Sequence, residues 1–145
     1  ARSLGIEPFD VRIPQRIKEW EDKVAAKGTG TVGCVALDAA GSMAAATSTG
    51  GKGFEMPGRI SDSATVAGNF ANHMVGISCT GVGEDIVSAA LAAAIGTRVT
   101  DGMSLQLAFE KSFQELSVFD GFAGAIALTA AGQLFHFDSH PSMVY

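Results

Sequence analysis

The chain has 145 residues and a mass of 14.9 kDa, enough for one domain with a real core, since a chain of that length buries roughly 68–70% of its unfolded surface. Apolar residues make up 47% and charged residues 17%, which excludes disordered, collagen-like and coiled-coil chains. Ten Lys and Arg against fifteen Asp and Glu give a formal charge of −5, with no cationic excess to neutralise a phosphate backbone, so no nucleic acid partner is expected.

In chain order, residues 14–26 come first. Ile17, Trp20 and Val24 recur there at three- and four-residue spacing, and Gly28 follows at a C-cap position, which predicts a short amphipathic helix on a leader spanning 1–30. From 31 the texture changes. Residues 32–38 and 42–49 read as two strands joined by the turn Asp38-Ala39-Ala40-Gly41, a hairpin. A strand at 75–79 runs into Thr80-Gly81-Val82-Gly83 and a helix over 84–96. Another helix is expected over 104–116, and a second hairpin pairs 122–129 with 133–138. This order predicts an α+β domain, an antiparallel sheet with both helices on one face. The small residues Gly33, Ala36, Ala44, Ala45 and Ala46 leave the first hairpin unable to fill a core alone, so a second sheet is expected to pack closely on it.

Several familiar patterns fail on context. Gly28 to Gly33 matches GxGxxG, but here the helix precedes the glycines and a strand follows, the reverse of a dinucleotide fold. Cys34, Cys79, His73, His136 and His140 lack metal-ligand spacing, so no metal or other cofactor is expected. Asp138, Ser139 and His140 are strand neighbours that point to different faces and cannot relay a proton in line. The apolar run at 86–95 falls short of the ~20 residues that span a bilayer. No charged n-region and apolar h-region open the chain. Two cysteines in apolar runs read as buried free thiols, which makes a cytoplasmic location the expectation. A chain that opens on Ala1 is expected to be a processed product or a fragment.

The informative feature is threonine beside glycine at three predicted strand ends: Thr31 with Gly30, Thr49 with Gly50, and Thr80 with Gly81. Thr80-Gly81 stands between a strand and a helix start, where N–H groups can hold an oxyanion or a carboxylate. Arg59 and Asp62, three apart in a glycine-bounded loop, offer one partner for a carboxylate and one for an amine, the two charges of an amino acid. As an isolated pair they would form a surface ion pair.

Taken together, TVGCVALD at 31–38, AAATSTGG at 44–51, PGRISDS at 57–63 and SCTGVGE at 78–84 resemble the β-subunit of the plant-type L-asparaginase and isoaspartyl peptidase family of N-terminal-nucleophile hydrolases. The resemblance is close from Thr31 to about Ala94. It implies half of a four-layer αββα sandwich, residues 1–30 being an α-subunit tail and 31–145 the catalytic β-subunit. It further implies that the bond between Gly30 and Thr31 is cut by the protein itself. The freed Thr31 is then the nucleophile and its α-amine the built-in base, since a threonine hydroxyl near pH 7 needs one.

In the same pattern Thr49 steadies the nucleophile, and Thr80 with the Gly81 N–H forms the oxyanion hole. Arg59 takes the substrate α-carboxylate, while Asp62 and the Gly83 carbonyl take the ammonium. The implied activity is hydrolysis of β-aspartyl dipeptides and L-asparagine, and the implied partners are a complementary α-subunit half and a second αβ unit. Two other readings stand beside it: a non-maturing amino-acid-binding module of the same fold, and a glycosylasparaginase.

Overall fold

The structure, a computed structural model, describes residues 30–51, 56 and 58–140, together with positions 18 and 21. The helix expected over 14–26 lies outside the described residues except at Lys18 and Glu21, both helical and exposed.

The first hairpin forms where the sequence places it. Strand β1 (Thr31–Leu37) pairs antiparallel with β2 (Met43–Thr49), setting Thr31 opposite Thr49 and Leu37 opposite Met43. Asp38 closes the turn: its Oδ1 accepts from the N–H groups of Ala40 at 2.9 Å and Ser42 at 2.7 Å, a side-chain device typical of turn aspartates. Those bonds, that of Ser42 first, hold the Asp38 carboxyl below the usual carboxylate range.

The described residues form two antiparallel sheets, in keeping with the second sheet expected against the first hairpin. β3 (Asn69–Ala71), β4 (Val75–Gly81), β5 (Ala123–Thr129) and β6 (Leu134–Asp138) form a four-stranded antiparallel sheet in that order, while β1 and β2 form a sheet of their own. The side-chain alternation of β4 explains the split. Val75, Ile77 and Cys79 are buried on one face. Gly76 and Ser78 point the other way, Gly76 against Met43 and Ala44 and Ser78 against Gly33. The small residues of the hairpin thus pack it face to face on the larger sheet, the close packing the sequence suggested.

Among the described residues three helices cover the opposite face: α1 (Gly83–Ser88), α2 (Leu91–Thr100) and α3 (Leu105–Leu116). The single helix expected over 84–96 is broken at Ala90, which sits in the left-handed region at φ 47 and ψ 42. That conformation costs about 1–3 kcal/mol in a residue other than glycine. The break lets the Ala92 N–H donate to the Ala67 carbonyl at 2.9 Å and buries Leu91 and Ile95 fully, and a fully buried Leu or Ile offsets the strain by roughly 1.5–3 kcal/mol.

Ser104 caps α3, its hydroxyl accepting from the Leu107 N–H. The buried alanines 123, 125 and 127 of β5 leave room beneath α3 for rings: Phe109 meets Phe135 edge-on at 4.8 Å and Phe113 meets Phe137 at 4.7 Å. The result is a helix layer, a β layer and two strands of a second β layer, the α+β half-sandwich anticipated from sequence.

The two thiols part company. Cys79 is buried, and burial pushes its pKa far up. Cys34 is exposed, against expectation, because strand alternation turns it with Val32 to the outer face of the hairpin. Arg98 joins α2 to α3, donating to Ser112 Oγ and to Glu115 Oε1, each at 2.6 Å. Arg98→Ala is expected to lower stability by about 1–2 kcal/mol, read as a lower denaturation midpoint at unchanged slope.

Candidate active site

The hairpin and the β4–α1 connection meet at a small cleft lined by Thr31, Thr49, Gly51, Arg59, Ser61, Asp62, Gly81 and Gly83. Six of the residues singled out from four separate sequence blocks, Thr31, Thr49, Arg59, Asp62, Gly81 and Gly83, therefore share one surface. Thr80 belongs to β4 one position before the cleft lining, opposite Gly124.

At one end lies a chain of hydroxyls. Thr31 Oγ1 donates to Thr49 Oγ1 at 3.1 Å, and Thr49 Oγ1 donates to the Gly30 carbonyl at 3.2 Å. The Gly51 N–H donates to Thr49 Oγ1 at 3.0 Å, which orients that hydroxyl. The Gly30 carbonyl also accepts from the Gly50 N–H at 3.0 Å. The antiparallel register explains the meeting: Thr31 and Thr49 are directly opposite, so their side chains share a face. The carbonyl of the peptide bond preceding Thr31 is thus polarised by two donors beside the Thr31 hydroxyl.

At the other end Arg59 and Asp62 separate rather than pair. Arg59 Nη2 donates to Glu84 Oε1 at 2.5 Å, a partner that sequence reading missed because Glu84 lies 25 residues on. Asp62 opens a short 3-10 turn capped by Ser61 and is 6% exposed. Its Oδ2 is buried with no hydrogen-bond partner among the described residues. Burial pushes the Asp62 carboxyl above its ordinary range, opposed by hydrogen bonds from Ser61 and Ser63 and by the nearby Arg59 charge. A buried acceptor left without a donor beside the cleft is suited to a cationic hydrogen-bond donor.

Between these ends runs the β4–α1 connection. Gly81 sits at φ 141, in the region that favours glycine, and an added Cβ would strike the Phe122 carbonyl. That carbonyl accepts from the Val82 N–H at 3.0 Å, so Phe122 fixes the backbone just past Gly81. Gly83 is buried as the first residue of α1. Helix α1 has only six residues, so the helix contribution expected at this turn reduces to its local N–H groups. Ser61 and Gly51 line the cleft although neither was singled out; their adjacency to Asp62 and Thr49 was the available signal.

The rejected patterns take ordinary places. Thr31 to Gly33 lie inside β1, and the next element is strand β2 rather than a helix. Ser139 Oγ accepts from the Ala123 N–H at 3.0 Å and donates to its carbonyl at 3.2 Å, while His140 lies against Phe122. Among the described residues no three His, Cys, Asp or Glu side chains converge on a metal-sized site, and no helix is long and apolar enough to cross a membrane.

With this geometry in place, comparison with known proteins is decisive. A family model described as asparaginase matches residues 9–144. The chain belongs to the asparaginase family. The match runs through every block that carries the cleft residues. An isoaspartyl peptidase/L-asparaginase from Nostoc is 54% identical over 92% of this chain and 48% of its own length. One of the same name from Synechocystis is 45% identical over 92% and 46%. A plant-type L-asparaginase from Thermococcus kodakarensis is 33% identical over 92% and 52%. This asparaginase-family chain spans about half the length of the curated relatives it matches.

Proposed function

We propose that the chain carries the catalytic half of an amidohydrolase that cleaves β-aspartyl dipeptides and L-asparagine, with Thr31 as an N-terminal nucleophile. The hydroxyl chain from Thr31 through Thr49 to the Gly30 carbonyl carries this reading. It supplies both parts of a self-cleavage step. Thr31 Oγ attacks the Gly30 carbonyl carbon and a C–O bond forms. Its proton passes to Thr49 as the Thr49 proton passes to the Gly30 oxygen, and the Gly50 N–H steadies that oxygen. Collapse breaks the C–N bond, with the proton going to nitrogen, and leaves an ester on Thr31. Water hydrolyses the ester to a Gly30 carboxylate and a free Thr31 amine and hydroxyl. Residues 1–30 then belong to one subunit and 31–145 to the other.

The freed amine, with an ordinary pKa of ~7.7–8.0, is the base for the second reaction. Arg59 holds the substrate α-carboxylate, while Asp62 and the Gly83 carbonyl hold its ammonium, and the buried Asp62 oxygen supports that assignment. Thr31 attacks the side-chain amide. Thr80 and the Gly81 N–H stabilise the tetrahedral oxyanion, the amine or ammonia leaves with a proton, and water releases aspartate from the ester.

The names of the relatives support this substrate class. No cofactor is required for either step. The partners we infer are a complementary α-subunit half and a second αβ unit, and the exposed outer face of β1 supports the first. The two unpaired thiols support a reducing, cytoplasmic compartment.

Intact mass and N-terminal sequencing of the full-length protein test this reading. Two chains are expected, one beginning at Thr31, with release of aspartate from a β-aspartyl dipeptide. An uncut protein that binds aspartate through Arg59 without turnover would instead be a binding module.

A further inference from the structure

One strand step below the cleft the pattern of small and hydroxylated residues repeats. Thr31, Thr49 and Thr80 lie at the strand ends. Two residues further in are Gly33, Thr47 and Ser78, on the same faces by strand alternation. Thr47 Oγ1 and Ser78 Oγ share a hydrogen bond of 2.7 Å across the gap between the two sheets. Thr47 Oγ1 also lies 3.4 Å from the Gly68 carbonyl, to which it can donate, and either hydroxyl can be the donor in the pair. Ser78 is 3% exposed. Gly33 faces it so closely that any Cβ would overlap the Ser78 side chain.

We propose that Thr47 and Ser78 are positioning residues whose hydrogen bond, made possible by the bare Gly33, sets the distance between the hairpin that bears Thr31 and the strand that bears Thr80 and Gly81. This rests on the hydrolase reading above and deepens it. The two reactions depend differently on that distance. Self-cleavage draws on Thr31, Thr49, Gly30 and Gly50, all within the hairpin and its immediate ends. Substrate hydrolysis needs a nucleophile on one sheet and oxyanion donors on the other. Displacement of reacting groups by about 1 Å can cost on the order of 10²-fold in rate. A smaller shift between the sheets should therefore slow turnover and leave self-cleavage alone. Arg59 and Asp62 are carried by the 59–62 loop and not by either strand, so substrate binding should change little.

The experiment uses the full-length protein with a β-aspartyl dipeptide, comparing wild type, Thr47→Val, Ser78→Ala and Thr47→Ser. Valine keeps the shape of Thr47 without its hydroxyl, and serine keeps the hydroxyl. The expected result for Thr47→Val and Ser78→Ala is complete cleavage before Thr31 by intact mass, a kcat about tenfold lower and a KM within about twofold of wild type. Thr47→Ser is expected to restore most of kcat. The proposal is overturned if both hydroxyl-deleted variants keep kcat within about twofold, if Thr47→Ser is no better than Thr47→Val, or if cleavage and turnover fall together. A wild type that is cut but hydrolyses no aspartyl substrate removes the hydrolase reading and this inference with it. Active wild type with indifferent variants removes the inference alone.

Discussion

Thr31→Ala is expected to leave the full-length protein as a single uncut chain and to reduce hydrolysis of a β-aspartyl dipeptide by at least about 10⁴-fold, the scale seen when a catalytic nucleophile is deleted. The substitution removes two things together. The donor of the bond to Thr49 disappears, so no oxygen attacks the Gly30 carbonyl and the amine that serves as base is never released. No new cavity forms in the core, since Thr31 is only half-buried at the end of β1, so folding should be close to normal. Intact mass, turnover and thermal denaturation measured on one preparation separate these effects. A Thr31→Ala protein that is still cut before residue 31, or that retains turnover, contradicts the assignment. Thr31→Ser keeps the hydroxyl and should keep both reactions at reduced rate.

Asp62→Asn is expected to move stability and activity in opposite directions. The sign follows from the raised carboxyl pKa in the folded protein, caused chiefly by burial. An acid whose folded pKa lies above its unfolded value favours folding while protonated, and that contribution is lost as pH rises from the unfolded value through the folded one. Once pH exceeds that raised pKa the wild type holds a desolvated carboxylate with one oxygen unpartnered among the described residues. A neutral amide of the same shape relieves part of that cost, and Tm should rise by about 2–4 °C, the shift expected for about 1 kcal/mol.

The gain should vanish below the ordinary aspartate pKa of 3.8, where wild type is neutral as well. Where the wild-type carboxyl is ionised, the variant's kcat/KM should be about 10²-fold lower, because the substrate ammonium loses its charged partner. Wild-type kcat/KM should also decline as pH drops through the Asp62 pKa. A variant that is both less stable at pH 7 and fully active would refute the assignment of Asp62 as the ammonium site.

How far the sequence carries can be traced residue by residue. The first hairpin was legible because Asp38 and Gly41 are strong turn residues between alternating runs. Helix α3 was legible from Ser104 and the spacing of Leu105, Ala108, Phe109 and Phe113. The break at Ala90 was not, because alanine is the best helix former and nothing local marks it; burial of Leu91 and the bond from Ala92 to Ala67 impose it from outside the segment. Strand β3 is three residues long, too short for any alternation to register.

Which strands belong to each sheet was hidden for a similar reason. It is decided by which face of β4 each residue takes, and local sequence does not say what waits on that face. The candidate site was legible as four blocks with the chemistry of an amino-acid substrate. Its partners were not: Glu84 for Arg59, the isolation of the Asp62 oxygen and the bond between Thr47 and Ser78 all depend on long-range packing.

The turn at Asp38 has a consequence for the chemistry at the opposite end of the hairpin, about 20 Å away at ~3.3 Å per strand residue. By accepting from Ala40 and Ser42, the Asp38 carboxylate fixes how many residues the ribbon spends in reversing direction. That number sets which residue faces Thr31. Strand faces alternate with period two, so a slip of one position would bring Ser48 opposite Thr31 and turn Thr49 outward. The ribbon works as a vernier: a loop with no chemistry of its own selects, by its length alone, which hydroxyl meets the nucleophile.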